Sequence, residues 1–227
     1  MTTRPLVPVA RRRFLVRLSA AAAGMTALLS RPAALASASV LPRATADGDP
    51  DGWIDRLTGE NRVMIHAHQH FMTALVDART MLANARDGYG IPEAEYSIAV
   101  ITHGQAIQGL LRDEIWRRFA LGELYKVNEP GTGTPATRNI YLQPQAGEPA
   151  DAVVPDLMRR GVTFVACNVA VKSLAKKLAP AGANPDQIRE ELAEGLVPGT
   201  VLVPDVFVAV QRAQKRGIAY IFTDRSR

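Results

Sequence analysis

Residues 161–177, GVTFVACNVAVKSLAKK, change character at Cys167, the single cysteine of the chain. Ahead of it stands a short run of apolar, β-branched residues bounded by Gly161, which reads as a buried strand. Behind it, Asn168–Leu178 carries a helical pattern. A strand that passes directly into a helix is the repeating unit of a parallel sheet, because parallel neighbours need a crossover connection.

The same succession recurs on both sides. Residues 62–66 (RVMIH) read as a strand, followed by a helix that places Phe71, Ala74, Leu75, Ala78, Leu82 and Ala85 at steps of three and four, ending near Gly88 and Gly90. Tyr96–Thr102 is a second strand, and Ile107, Leu111, Ile115 and Phe119 then stack on one face of an expected second helix. Asn184 followed by Pro185 and Gln187 has the form of a capping box opening a helix that stops near Gly195. A strand at 200–203, a helix at 205–216 closed by Gly217 and a last strand at 218–222 complete the pattern. The fold class that follows is α/β: a three-layer α/β/α sandwich around a mostly parallel sheet of about five strands. Residues 127–150, rich in proline and glycine, interrupt the alternation as a long connection of the kind that serves as a lid, an oligomer arm or an insertion.

The charge balance separates the N-terminal residues from the rest. The chain of 227 residues carries a net +5, but residues 1–38 hold six arginines and no acid, leaving 21 Lys and Arg against 22 Asp and Glu beyond them. A net charge near −1 argues against nucleic acid as a partner. Arg11-Arg12-Arg13-Phe14-Leu15 matches the core of a twin-arginine export signal, and the small residues around Ala34–Ala38 offer a cleavage site. The expected organisation is therefore a twin-arginine signal peptide at 1–38, a flexible lead-in at 39–58, and an α/β domain at 59–227 working in the periplasm. A leader left uncleaved would tether that domain to the membrane. One cysteine forms no internal disulfide, so Cys167 is a free thiol or an intermolecular one.

In open parallel sheets ligands bind beyond the carboxyl ends of the strands. The expected strands deliver His66, His68 and His70, then His103, then Cys167 to that edge, which accounts for all four histidines and the cysteine. Cys167 stands immediately before a helix, where partial positive charge favours an anion, with Asn168 and Lys172 close in sequence to bind a sulfur species. The alternative is a small buried packing residue. His66, His68 and His70 would share one face of an extended strand about 6.6 Å apart, and with His103 or Cys167 they would make a zinc or copper site. No motif demands a cofactor otherwise. Trp53 and Trp116 read as packing residues, and Gly131-Thr132-Gly133 lacks the setting of a phosphate loop.

The ordered set of GVTFVACNVA at 161–170, Leu202-Val203-Pro204-Asp205-Val206, Gln211 and Arg216-Gly217-Ile218-Ala219-Tyr220-Ile221 resembles the DsrE/DsrF-like family of sulfur-relay proteins. Ile101-Thr102-His103-Gly104, Leu121-Gly122-Glu123 and Thr137-Arg138-Asn139 are similar to its exported members. The resemblance spans about residues 60–222. It implies a compact α/β/α sandwich that assembles into oligomers, homo-oligomers being the expectation here, and a cysteine that accepts sulfur as a persulfide and hands it on. Cys167 is the position for that role and His103 the polar or acid/base partner, with the donor or acceptor a protein or a small sulfur species. Transfer would then require another molecule's thiol. Two other readings remain open: a periplasmic metal-binding module through the histidines, and a non-catalytic oligomeric interaction protein.

Overall fold

The computed structural model describes residues 49–223. The leader at 1–38 and the first ten residues of the lead-in lie outside the described residues.

Five strands form one sheet in the order β4-β3-β2-β1-β5, every pair parallel: β1 (Asn61–Ala67), β2 (Tyr96–Thr102), β3 (Thr163–Cys167), β4 (Val201–Val203) and β5 (Ala219–Phe222). Three successive crossovers step from β1 to β4 in one direction, and the fourth returns across the sheet to set β5 on the far side of β1. The central strands are buried throughout their later halves, as parallel strands covered on both faces must be. The α/β sandwich and its parallel five-stranded sheet are as the alternation of apolar runs and helical patterns requires.

Helices α1 (Phe71–Tyr89), α2 (Asp113–Arg118), α3 (Leu121–Tyr125), α4 (Val154–Arg159), α5 (Asn168–Leu178), α6 (Pro185–Glu194) and α7 (Val206–Lys215) surround the sheet. The first packs on β1, β2 and α4, α5 packs on β3 and α6, and α7 packs on β5. Local signals set several boundaries. Gly90, at φ +67, ends α1 by donating its N–H in a left-handed cap. Asn184 caps α6, its side chain accepting from the Asp186 N–H at 2.9 Å.

The expected helix over Ile107, Leu111, Ile115 and Phe119 does not form. A 3-10 segment, Gly104–Leu110, runs into an extended Leu111, then α2 and α3 follow as separate short helices. Tertiary contacts override the apolar spacing here. Leu111 pairs with Leu196 in an antiparallel bridge, and the Arg112 N–H donates to Gly195 O at 2.8 Å, contacts that a continuing helix would forfeit. Gly109 lies so close to the ring of Phe71 that a Cβ would sit 2.0 Å from its Cδ1.

The lead-in expected through residue 58 ends earlier. Trp53, Ile54 and Leu57 are buried in the core, because three large apolar side chains in five residues gain more from burial than a linker loses by ordering. Trp116 is buried as well. Asp51 secures this segment to α7, accepting from Arg212 Nε at 2.7 and 2.8 Å and from Arg216 at 3.1 Å. The Arg212 hydrogen bond, foremost, holds the Asp51 carboxyl below its ordinary 3.8, more than offsetting desolvation. A depressed carboxylate stabilises the fold above its unfolded value, and that stabilisation disappears as pH falls through the folded value. Since half-exposed arginines rather than a deep core cover Asp51, we expect Asp51→Asn to cost about 1 kcal/mol. Thermal melts should show the full difference at pH 7 and its disappearance in acid below pH 3.8; a difference unchanged down to acid pH would contradict the assignment.

The 127–150 connection is irregular, as its composition requires, but it is anchored. Asn139, 1% exposed, donates from Nδ2 to Gly109 O (2.9 Å) and Leu111 O (2.7 Å), while its Oδ1 accepts from the Tyr141 N–H (2.9 Å). Its own N–H donates to Asp113 at 2.8 Å.

Candidate functional site

The carboxyl ends of β1 to β4 frame a cavity of about 430 Å³ whose walls include His68, His103, Cys167, Lys177, Asp205 and Phe207. Each strand end contributes by its local structure. Past the end of β1, the carbonyl of His68 accepts from the Ala106 N–H at 2.8 Å, tying that loop to the 3-10 segment after β2. His103 follows β2 directly and its N–H donates to Ala67 O at 3.1 Å. Gly104 then turns at φ +57 with its Cα against His68, where a Cβ would meet the ring at 2.1 Å, so only glycine lets the two histidines come together. Cys167 is both the last residue of β3 and the residue preceding α5. Asp205 caps α7, accepting from the Phe207 N–H at 2.7 Å and the Val208 N–H at 3.2 Å, which fixes Phe207 at the rim.

Three of the four histidines gather here. The rings of His68 and His103 stack with centroids 4.4 Å apart and planes 12° from parallel, and His66 lies 4.6 Å from His103. Buried His66 links two groups through its two nitrogens: Nδ1 meets the Tyr220 hydroxyl at 2.7 Å, and Nε2 meets His103 Nδ1 at 2.6 Å. Burial raises the Tyr220 hydroxyl above its ordinary 10, so it stays protonated. The chain Tyr220–His66–His103 has two consistent neutral arrangements. When Tyr220 donates, His66 donates onward and His103 carries its proton on Nε2, which is then a hydrogen-bond donor. When the order reverses, His103 donates from Nδ1 and its Nε2 becomes a base. Phe207 stands edge-on to His103 at 5.0 Å and to His66 at 5.9 Å, walling the imidazoles with apolar surface.

The residues singled out by sequence divide. Cys167 and His103 line one cavity, and Cys167 is 3% exposed, at the wall rather than on the surface. His66 supports His103 from behind. His70 departs: it precedes α1 and lines a different cavity, because β1 ends at Ala67 and the alternation of side chains that would align three histidines ends with it. Among the described residues no group of three or more His, Cys, Asp or Glu side chains is placed to hold a metal ion, so the zinc or copper set of His66, His68 and His70 is not assembled.

Lys172 is exposed and does not line the cavity. At 100° per residue, Ala170, Ser173, Leu174 and Lys177 form the row of α5 that faces it, and Lys172 falls on the opposite side. Lys177 is the basic residue there, its ammonium 5.4 Å from the centre of the Tyr125 ring. Asn168 is not among the lining residues either, but its Oδ1 is buried without a hydrogen-bond partner among the described residues. Nothing in the apolar pattern marks Tyr220 or Asp205, although both stand in the stretches that carry the resemblance. The Tyr220 contact arises because β5 pairs with β1, with Phe222 opposite His66 and Tyr220 one step back on the same face.

No helix among the described residues is long and apolar enough to cross a membrane. No protein-family model matches the chain, and no curated protein matches it. Among solved structures it is similar to a protein of unknown function, MTH1491 from Methanobacterium thermoautotrophicum, at 17% identity over 72% of this chain and 99% of that one, with a TM-score of 0.38.

Proposed function

We propose that this chain is an exported, DsrE-like sulfur carrier in which Cys167 accepts sulfane sulfur and passes it to another molecule's thiol. The observation that carries this reading is the shared cavity: the one thiol of the chain lines the same apolar-walled chamber as an imidazole backed by a two-membered hydrogen-bond chain. His103 Nε2 takes the Cys167 proton, and the thiolate attacks the outer sulfur of a donor persulfide. The new bond joins Cys167 Sγ to that sulfur, the donor's S–S bond breaks, and its electron pair leaves on the donor thiolate, which receives the proton. No net oxidation occurs, because the sulfane sulfur keeps its oxidation state. The reverse sequence on an acceptor thiol restores Cys167. Export through the leader at 1–38 belongs to the same reading, and its check is the N-terminal sequence of protein recovered from the periplasm.

Mass spectrometry of the full chain after inorganic polysulfide treatment tests the carrier role. One added sulfur on Cys167, and none on Cys167→Ser, is the expected result. A protein whose thiol reacts with iodoacetamide yet never gains sulfur would overturn it.

A second reading draws on the exposed face of β5 and α7. Phe207, Val208, Tyr220, Ile221 and Phe222 are between 38% and 62% exposed, an apolar cluster beside an edge strand without charge or proline within it. This favours self-association through β5, which sedimentation would report as a dimer or larger in the wild type and a monomer in Phe222→Lys. If Cys167→Ser matched the wild type in every sulfur measurement while association persisted, the scaffold reading would stand alone.

A further inference from the structure

The chamber lined by Cys167 has a direction. The row of α5 that walls it begins at Ala170, near the thiol, continues through Leu174 and ends at Lys177. Cys167, Ala170 and Leu174 are buried, whereas Lys177 is exposed. From Asn168 to Lys177 the helix rises about 13 Å, so thiol and lysine stand toward opposite ends of that wall. Tyr125 and Phe207 add aromatic surface. Burial raises the Tyr125 hydroxyl to about 12, so it carries no charge at physiological pH. Most of the surface facing the chamber is apolar, and its 430 Å³ suits a small ligand.

Charge enters at defined points. With the histidines neutral, Lys177 and Asp205 are the charged side chains of the lining among the described residues. Asp205 is committed to α7: its Oδ1 accepts from the Phe207 and Val208 N–H groups, and the positive end of that helix offsets its charge. Lys177 rests against the Tyr125 ring, with its ammonium 5.4 Å from the centre, an interaction that leaves N–H donors for an anion. An anion placed among the apolar walls would be costly, but one held at exposed Lys177 keeps part of its water.

We propose that the chamber takes the persulfide of a low-molecular-weight thiol acid, with its sulfur end at Cys167, an uncharged aliphatic body along Ala170 and Leu174, and a carboxylate at Lys177. That the ligand brings sulfur rests on the carrier reading above; its shape and the place of its charge rest on the chamber alone. The outer sulfur joins Cys167 Sγ, the S–S bond of the persulfide breaks, and the thiol acid leaves as a thiolate that takes up the proton. Thiols whose charge lies next to the sulfur are disfavoured.

Methanethiosulfonates probe the chamber without sulfane sulfur. The Cys167 thiolate attacks their divalent sulfur, a disulfide forms, and methanesulfinate leaves. Carboxypentyl, butyl and sulfonatoethyl reagents are compared on the full chain by mass spectrometry, each rate divided by that of the same reagent with mercaptoethanol. The butyl reagent should react at least about tenfold faster than the sulfonatoethyl one, whose charge must enter the apolar walls. The carboxypentyl reagent should exceed the butyl one by about threefold to fivefold, as an exposed ion pair provides, and Lys177→Gln should bring that ratio to about one. Equal normalised rates for all three, no carboxypentyl advantage over butyl, or an advantage that survives Lys177→Gln would overturn the proposal. So would a chamber closed to all three reagents while polysulfide still adds sulfur to Cys167. The expected order combined with no sulfur gained from polysulfide would leave the shape and charge of the ligand standing and remove the carrier role, so the two failures are told apart.

Discussion

A His103→Gln variant should form the Cys167 persulfide about a hundredfold more slowly than the wild-type protein, the low end of what a positioned acid/base group contributes. Glutamine is the informative replacement, because its amide can still hydrogen-bond to His66 Nε2 and occupy the space beside His68 without moving a proton. Single-turnover measurement with polysulfide, followed by quenching and mass spectrometry, reads the rate directly. The dependence of the rate on pH should differ between the two proteins, because only the wild type has an imidazole to take the thiol proton. The groups around that thiol in the cavity are His68, Lys177, Asp205 and Tyr125, so the profile must be compared with the variant rather than read alone. Tyr220→Phe keeps the 2.6 Å bond between the imidazoles and removes only the outer member of the chain. A smaller loss of rate is expected there, with a stability cost of about 1 kcal/mol for the hydrogen bond removed from buried His66. An unchanged rate and profile in His103→Gln would remove the acid/base role and leave Cys167 to act by itself.

The second large effect concerns stability. Asn139→Ala should lower the unfolding free energy by about 3 kcal/mol. It deletes two donated bonds and one accepted bond at a residue that is 1% exposed, leaving the carbonyls of Gly109 and Leu111 and the N–H of Tyr141 without their partner. In a domain of this size the melting temperature should fall by about 6–12 °C. Arg138→Ala next door is the control. Its bonds to Glu129 and Gln143 lie nearer the surface, at 2.7 Å each, and losing them should cost under about 1 kcal/mol. If both variants melted alike, the side-chain amide of Asn139 would not be the anchor.

Asn139 also marks where the sequence stops being readable. The strands were legible because buried parallel strands are unbroken apolar runs, and Tyr96–Thr102 needed no adjustment. The helices α1, α5 and α6 were legible from periodicity and caps. The stretch from His103 to Arg160 was not, because its shape depends on partners distant in sequence: Leu196 across from Leu111, Phe71 against Gly109, Asn139 threading between them. An apolar spacing of four over 107–119 records only that Ile107, Leu111 and Ile115 are buried and Phe119 partly so.

The candidate site shows the same division. That Cys167 and His103 line one cavity was readable from their places at successive strand ends. That His66 hydrogen-bonds to both His103 and Tyr220 was not, because Tyr220 belongs to a strand whose neighbour is fixed by the order of the sheet. Lys177 replaced Lys172 for a simpler reason: closeness in sequence was a poorer guide than the face of the helix.

The bond between His66 and Tyr220 joins positions 154 residues apart, and β5 is the last element of the described chain. A nascent polypeptide would therefore hold its thiol and both imidazoles well before the tyrosine emerges from the ribosome, and contacts so remote in sequence form late. Under the proposed chemistry, full reactivity would arrive only with the final strand, so that a prematurely terminated product would carry the thiol without the complete hydrogen-bond chain behind His103.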